Sequence, residues 1–204
     1  MNFSEISHSI LNAAAETSAV EWLIFITAIL YVLLAGVENS WCWLFGIISS
    51  ALSVYLCYTG QLFLESILSV FYVVIGFYGW YQWKHGSKEK KELRISSAST
   101  KKLCVFFLIG FSFWLPIGVF AESFSTQALP YVDAFVTSFS IVATYMAAKK
   151  LIQNWMFWIV IDAVAVYLYA ARDFNLIALL YFIYTLIALV GYFSWKKKIN
   201  VLSV

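Results

Sequence analysis

Residues 43–84 read WLFGIISSALSVYLCYTGQLFLESILSVFYVVIGFYGWYQWK, and residues 155–196 read WMFWIVIDAVAVYLYAARDFNLIALLYFIYTLIALVGYFSWK. Shifted by 112 positions, the first lies on the second without a gap, and about a third of the residues coincide. Trp43 meets Trp155 and Phe45 meets Phe157. The run Val54, Tyr55, Leu56 meets Val166, Tyr167, Leu168. Tyr72 meets Tyr184, Gly79 meets Gly191, and Trp83–Lys84 meets Trp195–Lys196. A register kept over so long a stretch predicts an internal structural repeat.

The solvent of that repeat follows from composition. Of 204 residues, 63% are hydrophobic and 12% charged, about half the charge of an ordinary soluble domain. So few charges cannot cover so much apolar surface, and the chain is expected to use a bilayer as its solvent. Apolar runs long enough to cross hydrocarbon as helices fall at Glu21–Ala35, Trp41–Thr59, Leu62–Trp80, Leu103–Phe120, Val132–Lys149, Asn154–Ala171 and Asn175–Trp195. The first is short unless Ala19 and Val20 join it. The expected fold is an all-α integral membrane protein of seven transmembrane helices. Two parallel three-helix repeats, residues 21–84 and 131–198, flank a connector helix at 103–120, with a basic linker at 85–102. Residues 1–20 carry Glu5 and Glu16 but no Lys or Arg, the reverse of a cleavable signal. Within them, Phe3–Val20 reads as an amphipathic segment on the outer (periplasmic) surface, with Phe3, Ile6, Ile10 and Leu11 on one side.

Basic residues orient the chain. With seven spans, every Lys and Arg except Arg172 falls on one side of the membrane. The positive-inside rule makes that side cytoplasmic, with the N-terminus outside and the C-terminus inside a bacterial inner (plasma) membrane. An offset of four spans returns the second trio to the same sense as the first. The pseudo-symmetry axis then lies along the membrane normal, and transporters of this build hold substrate near the midplane between the halves.

Other classes of function find no residues to serve them. A net charge of +2 gives no footprint for nucleic acid. His8 and His85 lie outside the spans, so an intramembrane Ser–His couple or a His-held metal is not expected. Cys42, Cys57 and Cys104 are scattered and odd in number, against a disulfide framework or a metal site. The last span contains no Lys for a retinal Schiff base. The expectation is a transporter, not an enzyme, with no cofactor and no metal; a homo-oligomer is compatible with it.

The stretches Trp43-x-Phe-Gly46, Phe71–Trp83, Asp133–Ala143 (DAFVTSFSIVA) and Asn154–Tyr169 (NWMFWIVIDAVAVYLY) resemble the nicotinamide riboside transporter family, PnuC. The resemblance covers the chain after about residue 20. It implies a three-one-three arrangement related to SWEET sugar carriers, and facilitated diffusion with trapping by a cytoplasmic kinase that need not bind the carrier. Two positions depart from the family pattern: Asp162 stands where many members carry Asn, and Ser69 where many carry Gln. Relatives in the wider superfamily take other vitamins, thiamine among them.

The residues add their own chemistry. Trp155, Trp158, Asp162, Val166 and Tyr169 recur at helical spacing and share one face. A carboxylate at mid-span costs about 2.5–3.5 kcal/mol on insertion scales and should turn inward towards a partner. No Lys or Arg lies at that depth, which leaves a cationic ligand, a ligand donor or a proton. Trp faces attract cationic heteroaromatic rings. A pyridinium riboside and a thiazolium vitamin both qualify, and the aminopyrimidine of thiamine suits a carboxylate, so thiamine is favoured over nicotinamide riboside. A neutral sugar or nucleoside suits the acidic site less well. The expected substrate-binding set is Trp155, Trp158, Asp162, Ser69, Tyr72, Asn154, Ser140, Thr137 and Tyr184. Asp133 and Glu65 are expected as outer charges. Trp41, Trp80, Trp83 and Trp195 are expected in the interfacial belts.

Overall fold

The computed structural model describes residues 3–60, 63–86, 92–124 and 128–202. Eight α-helices run α1 (Phe3–Glu16), α2 (Ala19–Gly36), α3 (Cys42–Thr59), α4 (Phe63–His85), α5 (Thr100–Phe124), α6 (Pro130–Ala148), α7 (Asn154–Ala171) and α8 (Asn175–Leu202). Residues 61 and 62, where the third expected span begins, lie outside the described residues. So do 87–91 of the expected linker and 125–127 of the expected break after the connector.

Six helices among the described residues are long and apolar enough to cross a membrane: α2, α3, α5, α6, α7 and α8. The chain is therefore a multi-pass membrane protein. The helix α4, expected as a span, is not among the six; its 23 residues reach about 34 Å at 1.5 Å per residue. The outward faces are apolar, as lipid requires. Ile67, Val74 and Phe77 on α4, Leu108 on α5, and Val190 and Phe193 on α8 are all exposed.

The expected outer segment ends early. Phe3–Glu16 is a helix by itself, and Ala19 and Val20 belong to α2. The boundary is a capping box. The Ser18 backbone N–H donates to Glu21 Oε2 at 2.8 Å, and the Glu21 N–H donates to Ser18 Oγ at 3.3 Å, satisfying donors that a new helix start leaves open. Several other helices outrun their apolar stretches; α8 carries on through Lys196–Lys198, because backbone hydrogen bonding does not stop where hydrocarbon does.

The chain divides into two compact units. One comprises Ser18–Ser96, Tyr145–Ile152 and Val190–Val204. Here α3 packs against α2 and α4. Ser49 Oγ donates to the Ile24 carbonyl at 3.1 Å, and Ser66 Oγ donates to the Val54 carbonyl at 3.3 Å. A Cβ on Gly79 would overlap the Trp43 ring, so only glycine lets α4 approach α3 at that level.

Trp83 and Trp195 correct the belt expectation. Both are buried, their rings meet at 5.9 Å, and each indole N–H donates to a carbonyl: Trp83 to Ala147 at 2.9 Å, Trp195 to Ala35 at 3.0 Å. A buried indole needs such a partner. Trp41, exposed against a half-buried Trp80 at 6.0 Å, keeps the surface position expected of it.

The other unit comprises Met1–Thr17, Ser97–Thr144 and Gln153–Leu189. Its core is a cluster of phenylalanines. Phe107 of α5 meets Phe157 of α7 at 5.0 Å, Phe135 meets Phe139 within α6 at 4.6 Å, and Phe139 lies across Gly110 of α5. Trp114 Nε1 donates to the Tyr131 carbonyl at 2.7 Å, and Asn175 Nδ2 donates to Ser9 Oγ at 3.0 Å.

Candidate functional site

The helix α7 carries the centre of the expected site, and its sequence sets its rotation. Met156, Val160 and Tyr167 are exposed and apolar or amphipathic, at spacings of four and seven. The opposite face is buried through Asn154, Trp155, Phe157, Ile161, Asp162, Ala165 and Leu168. Phe157 fixes that face against Phe107 and Phe139. At the head of the helix, Gln153 Oε1 accepts the Ala98 N–H at 3.0 Å while its Nε2 donates to Ser97 Oγ at 2.7 Å.

Asp162 is 3% exposed. Among the described residues no hydrogen bond and no ion pair reaches its carboxylate. Tyr184 of α8 lies within electrostatic reach of it. Beyond Tyr184 runs a ladder of rings: Tyr181 meets Tyr184 edge-on at 5.8 Å, and Tyr169 of α7 stacks on Tyr181 at 5.2 Å with planes 9° apart. Tyr181 was not among the expected site residues. Its signal was available, since it stands one turn before Tyr184 on the same face.

Seven of the nine expected residues, Trp155, Trp158, Asp162, Asn154, Ser140, Thr137 and Tyr184, fall within one compact unit. Asn154 and Trp155 are buried, and Trp158 is half-buried one turn from Asp162. On α6, Thr137 is half-buried and Ser140 buried, and the Thr144 hydroxyl donates to the Ser140 carbonyl at 2.7 Å. Ser138, which sequence reasoning passed over, is fully buried, and its hydroxyl has no hydrogen-bond partner among the described residues.

Ser69 and Tyr72 belong to the other unit. Ser69 Oγ donates to the Glu65 carbonyl of its own helix at 2.8 Å, which leaves its oxygen to accept but its proton engaged. Tyr72 lies within electrostatic reach of Tyr31.

Asp133 is tied rather than simply solvated. Arg172 Nη1 donates to its Oδ2 at 2.9 Å, and Arg172 Nε and Nη2 donate to the Ala128 carbonyl at 2.9 and 2.7 Å. The one basic residue outside the expected basic side thus braces α6 to the end of α7. Among the described residues no cluster of three or more His, Cys, Asp or Glu is suited to a metal ion.

Residues 18–197 match the family model described as nicotinamide mononucleotide transporter. The chain belongs to this transporter family. The nicotinamide riboside transporter PnuC of Escherichia coli is 28% identical over 195 residues, covering 83% of this chain and 82% of that one. PnuC of Neisseria mucosa is 27% identical over 186 residues, covering 86% and 71%. The riboflavin/roseoflavin transporter RibM of Streptomyces davaonensis is 25% identical over 138 residues, covering 60% and 59%. The crystal structure of the vitamin B3 transporter PnuC matches the fold with a TM-score of 0.71 at 23% identity, covering 94% of this chain and 87% of that one. The inner face of α7 sets two buried polar side chains, Asn154 and Asp162, among apolar ones.

Proposed function

We propose that this family member takes up a B-vitamin or vitamin precursor with a cationic aromatic ring, and that Asp162 is the group that reads the charge. The observation that carries the reading is a buried mid-helix carboxylate without a cation among the described residues. Insertion of an acid at that depth is costly unless something satisfies it. A ring cation does so, and the indole of Trp158 with the phenols of Tyr184 and Tyr181 adds faces for stacking and cation–π contact. Thiamine is favoured, because its aminopyrimidine donors suit a carboxylate where many relatives offer an amide. Nicotinamide riboside is the second reading, favoured by the names of the PnuC relatives, and it too carries a cationic ring. Riboflavin, named in RibM, and a neutral sugar or nucleoside lack that charge.

The chain is read as seven spans in two parallel trios, α2–α4 and α6–α8, about the connector α5. Support comes from recurrence at the same 112-residue offset: α3 and α7 begin and end 112 apart, α4 and α8 begin 112 apart, and α2 and α6 end 112 apart. The N-terminus is placed outside and the C-terminus in the cytoplasm. Transport is facilitated diffusion between the trios, made unidirectional by phosphorylation of the vitamin by a cytoplasmic kinase. Calorimetry of the purified protein with thiamine, nicotinamide riboside and riboflavin tests the substrate. Heat from riboflavin alone would reject a cation-reading site.

A further inference from the structure

The reciprocity of Trp83 and Trp195 extends to charged residues. Glu38 and Lys150 stand 112 apart in sequence, and Lys150 Nζ donates to Glu38 Oε1 at 2.8 Å. A pair of equivalent positions meeting each other is the mark of a two-fold axis passing between them. The two tryptophans share that mark, since each reaches the carbonyl that is the other's counterpart, Ala147 and Ala35.

The two charged residues occupy matching strained turns, one after α2 and one after α6. Glu38 has φ of 68° and Lys150 of 48°. The Glu38 N–H donates to Ala35 and the Asn39 N–H to Leu34; at the second copy, Lys150 donates to Ala147 and Leu151 to Met146. These are Schellman closures of α2 and α6, where glycine is the usual left-handed residue. A glutamate and a lysine there each carry a backbone cost that glycine would not. What they gain is the ion pair. Lys150 is nearly buried, its side chain 4% exposed, and its ammonium stands over the Trp83 ring at 4.6 Å. Lys198 adds a second donor to Glu38, at 3.1 Å from Oε2, and also donates to the Val37 carbonyl. The linker closes over the same point: the Ser96 N–H donates to the Lys150 carbonyl and the Ile152 N–H to the Ser96 carbonyl.

We propose that Glu38 and Lys150 are the cytoplasmic gate of the carrier, joined in this structure and parted when the pathway opens inward. The proposal rests on the reading of two parallel repeats with the pathway between them. On that reading, the axis is where a permeant must leave, and this pair lies across it. Glu38 comes from one repeat and its lysine partners, Lys150 and Lys198, from the other. The contact can therefore part without unfolding either turn, which a gate requires and a structural cap does not.

Cys42 provides a native reporter that needs no substrate. It is fully buried in the first turn of α3 and within electrostatic reach of Lys150. With Cys57→Ser and Cys104→Ser in place, a membrane-impermeant maleimide is applied to the cytoplasmic face of inside-out vesicles. Glu38→Gly and Lys150→Gly remove the charges while favouring the left-handed turn, so the fold should persist. Each is expected to raise Cys42 labelling about fivefold, as loss of a partly buried ion pair shifts the closed–open equilibrium. Lys149→Gln, which removes a charge outside the pair, should leave it unchanged. Unchanged labelling in both glycine variants, or an equal rise in Lys149→Gln, overturns the gate. As a second arm, Glu38→Cys with Lys150→Cys, joined by a short thiol cross-linker with the native cysteines replaced, should stop efflux of tracer thiamine. Efflux that persists through the cross-link overturns the gate. A double variant that carries no tracer before cross-linking counts against the substrate reading, and the labelling result still decides the gate.

Discussion

Trp83 and Trp195, which coincide at the 112-residue offset of the sequence, meet ring to ring at 5.9 Å, and each indole N–H donates to a carbonyl at the end of a distant helix, Ala147 of α6 and Ala35 of α2. Trp83→Phe and Trp195→Phe should each keep most of the packing but orphan one carbonyl bond, lowering stability by about 1–2 kcal/mol. Because the two environments mirror each other, the two drops in thermal midpoint should be similar. A large loss for one and none for the other would deny their equivalence.

Gly79→Ala should be more damaging than its size suggests. The added methyl meets the Trp43 ring, so α3 and α4 must separate, at a cost of about 1–3 kcal/mol. A combined Gly79→Ala and Trp43→Phe variant, with a smaller ring, should recover part of the loss. The thermal midpoints of the single and double variants check this.

Asp133→Asn leaves Arg172 with its bonds to Ala128 but without a countercharge. Arg172 has a side chain 7% exposed and Asp133 one 38% exposed. The cost should fall near about 1–2 kcal/mol, below the 3–5 of a fully buried pair. Thermal unfolding in detergent would show it, and a change in ligand affinity with unaltered stability would show that the pair serves the site instead.

Much of this was legible in the sequence because bilayer helices leave a coarse record. The α7 bounds, Asn154–Ala171, coincide with those read from its apolar run, since polar turns sit at both ends. Of the face expected on α7, Trp155 and Asp162 are buried, whereas Trp158, Val166 and Tyr169 are half-buried. The buried side is centred instead on Phe157, Ile161, Ala165 and Leu168, because packing against the phenylalanines of α5 and α6, which period alone does not show, sets the rotation. Less legible was anything that depends on a second helix. Trp83 and Trp195 look like belt residues when only their nearness to Lys84 and Lys196 is considered; their burial depends on partners more than sixty residues away. Glu38 and Lys150 sit at the same repeat offset as the matched tryptophans, yet they differ in type, so a search for identities skips them. The turn after Glu16 was missed because an apolar count cannot see a capping box, although Ser18 and Glu21 spell one.

The calorimetric titration of wild type and Asp162→Asn with thiamine, nicotinamide riboside and riboflavin tests the central claim most directly. A carboxylate that reads a ring cation predicts that thiamine binds wild type tighter than riboflavin, and that Asp162→Asn weakens thiamine at least about tenfold, roughly 1.4 kcal/mol. Undiminished thiamine binding by a folded Asp162→Asn protein would contradict it.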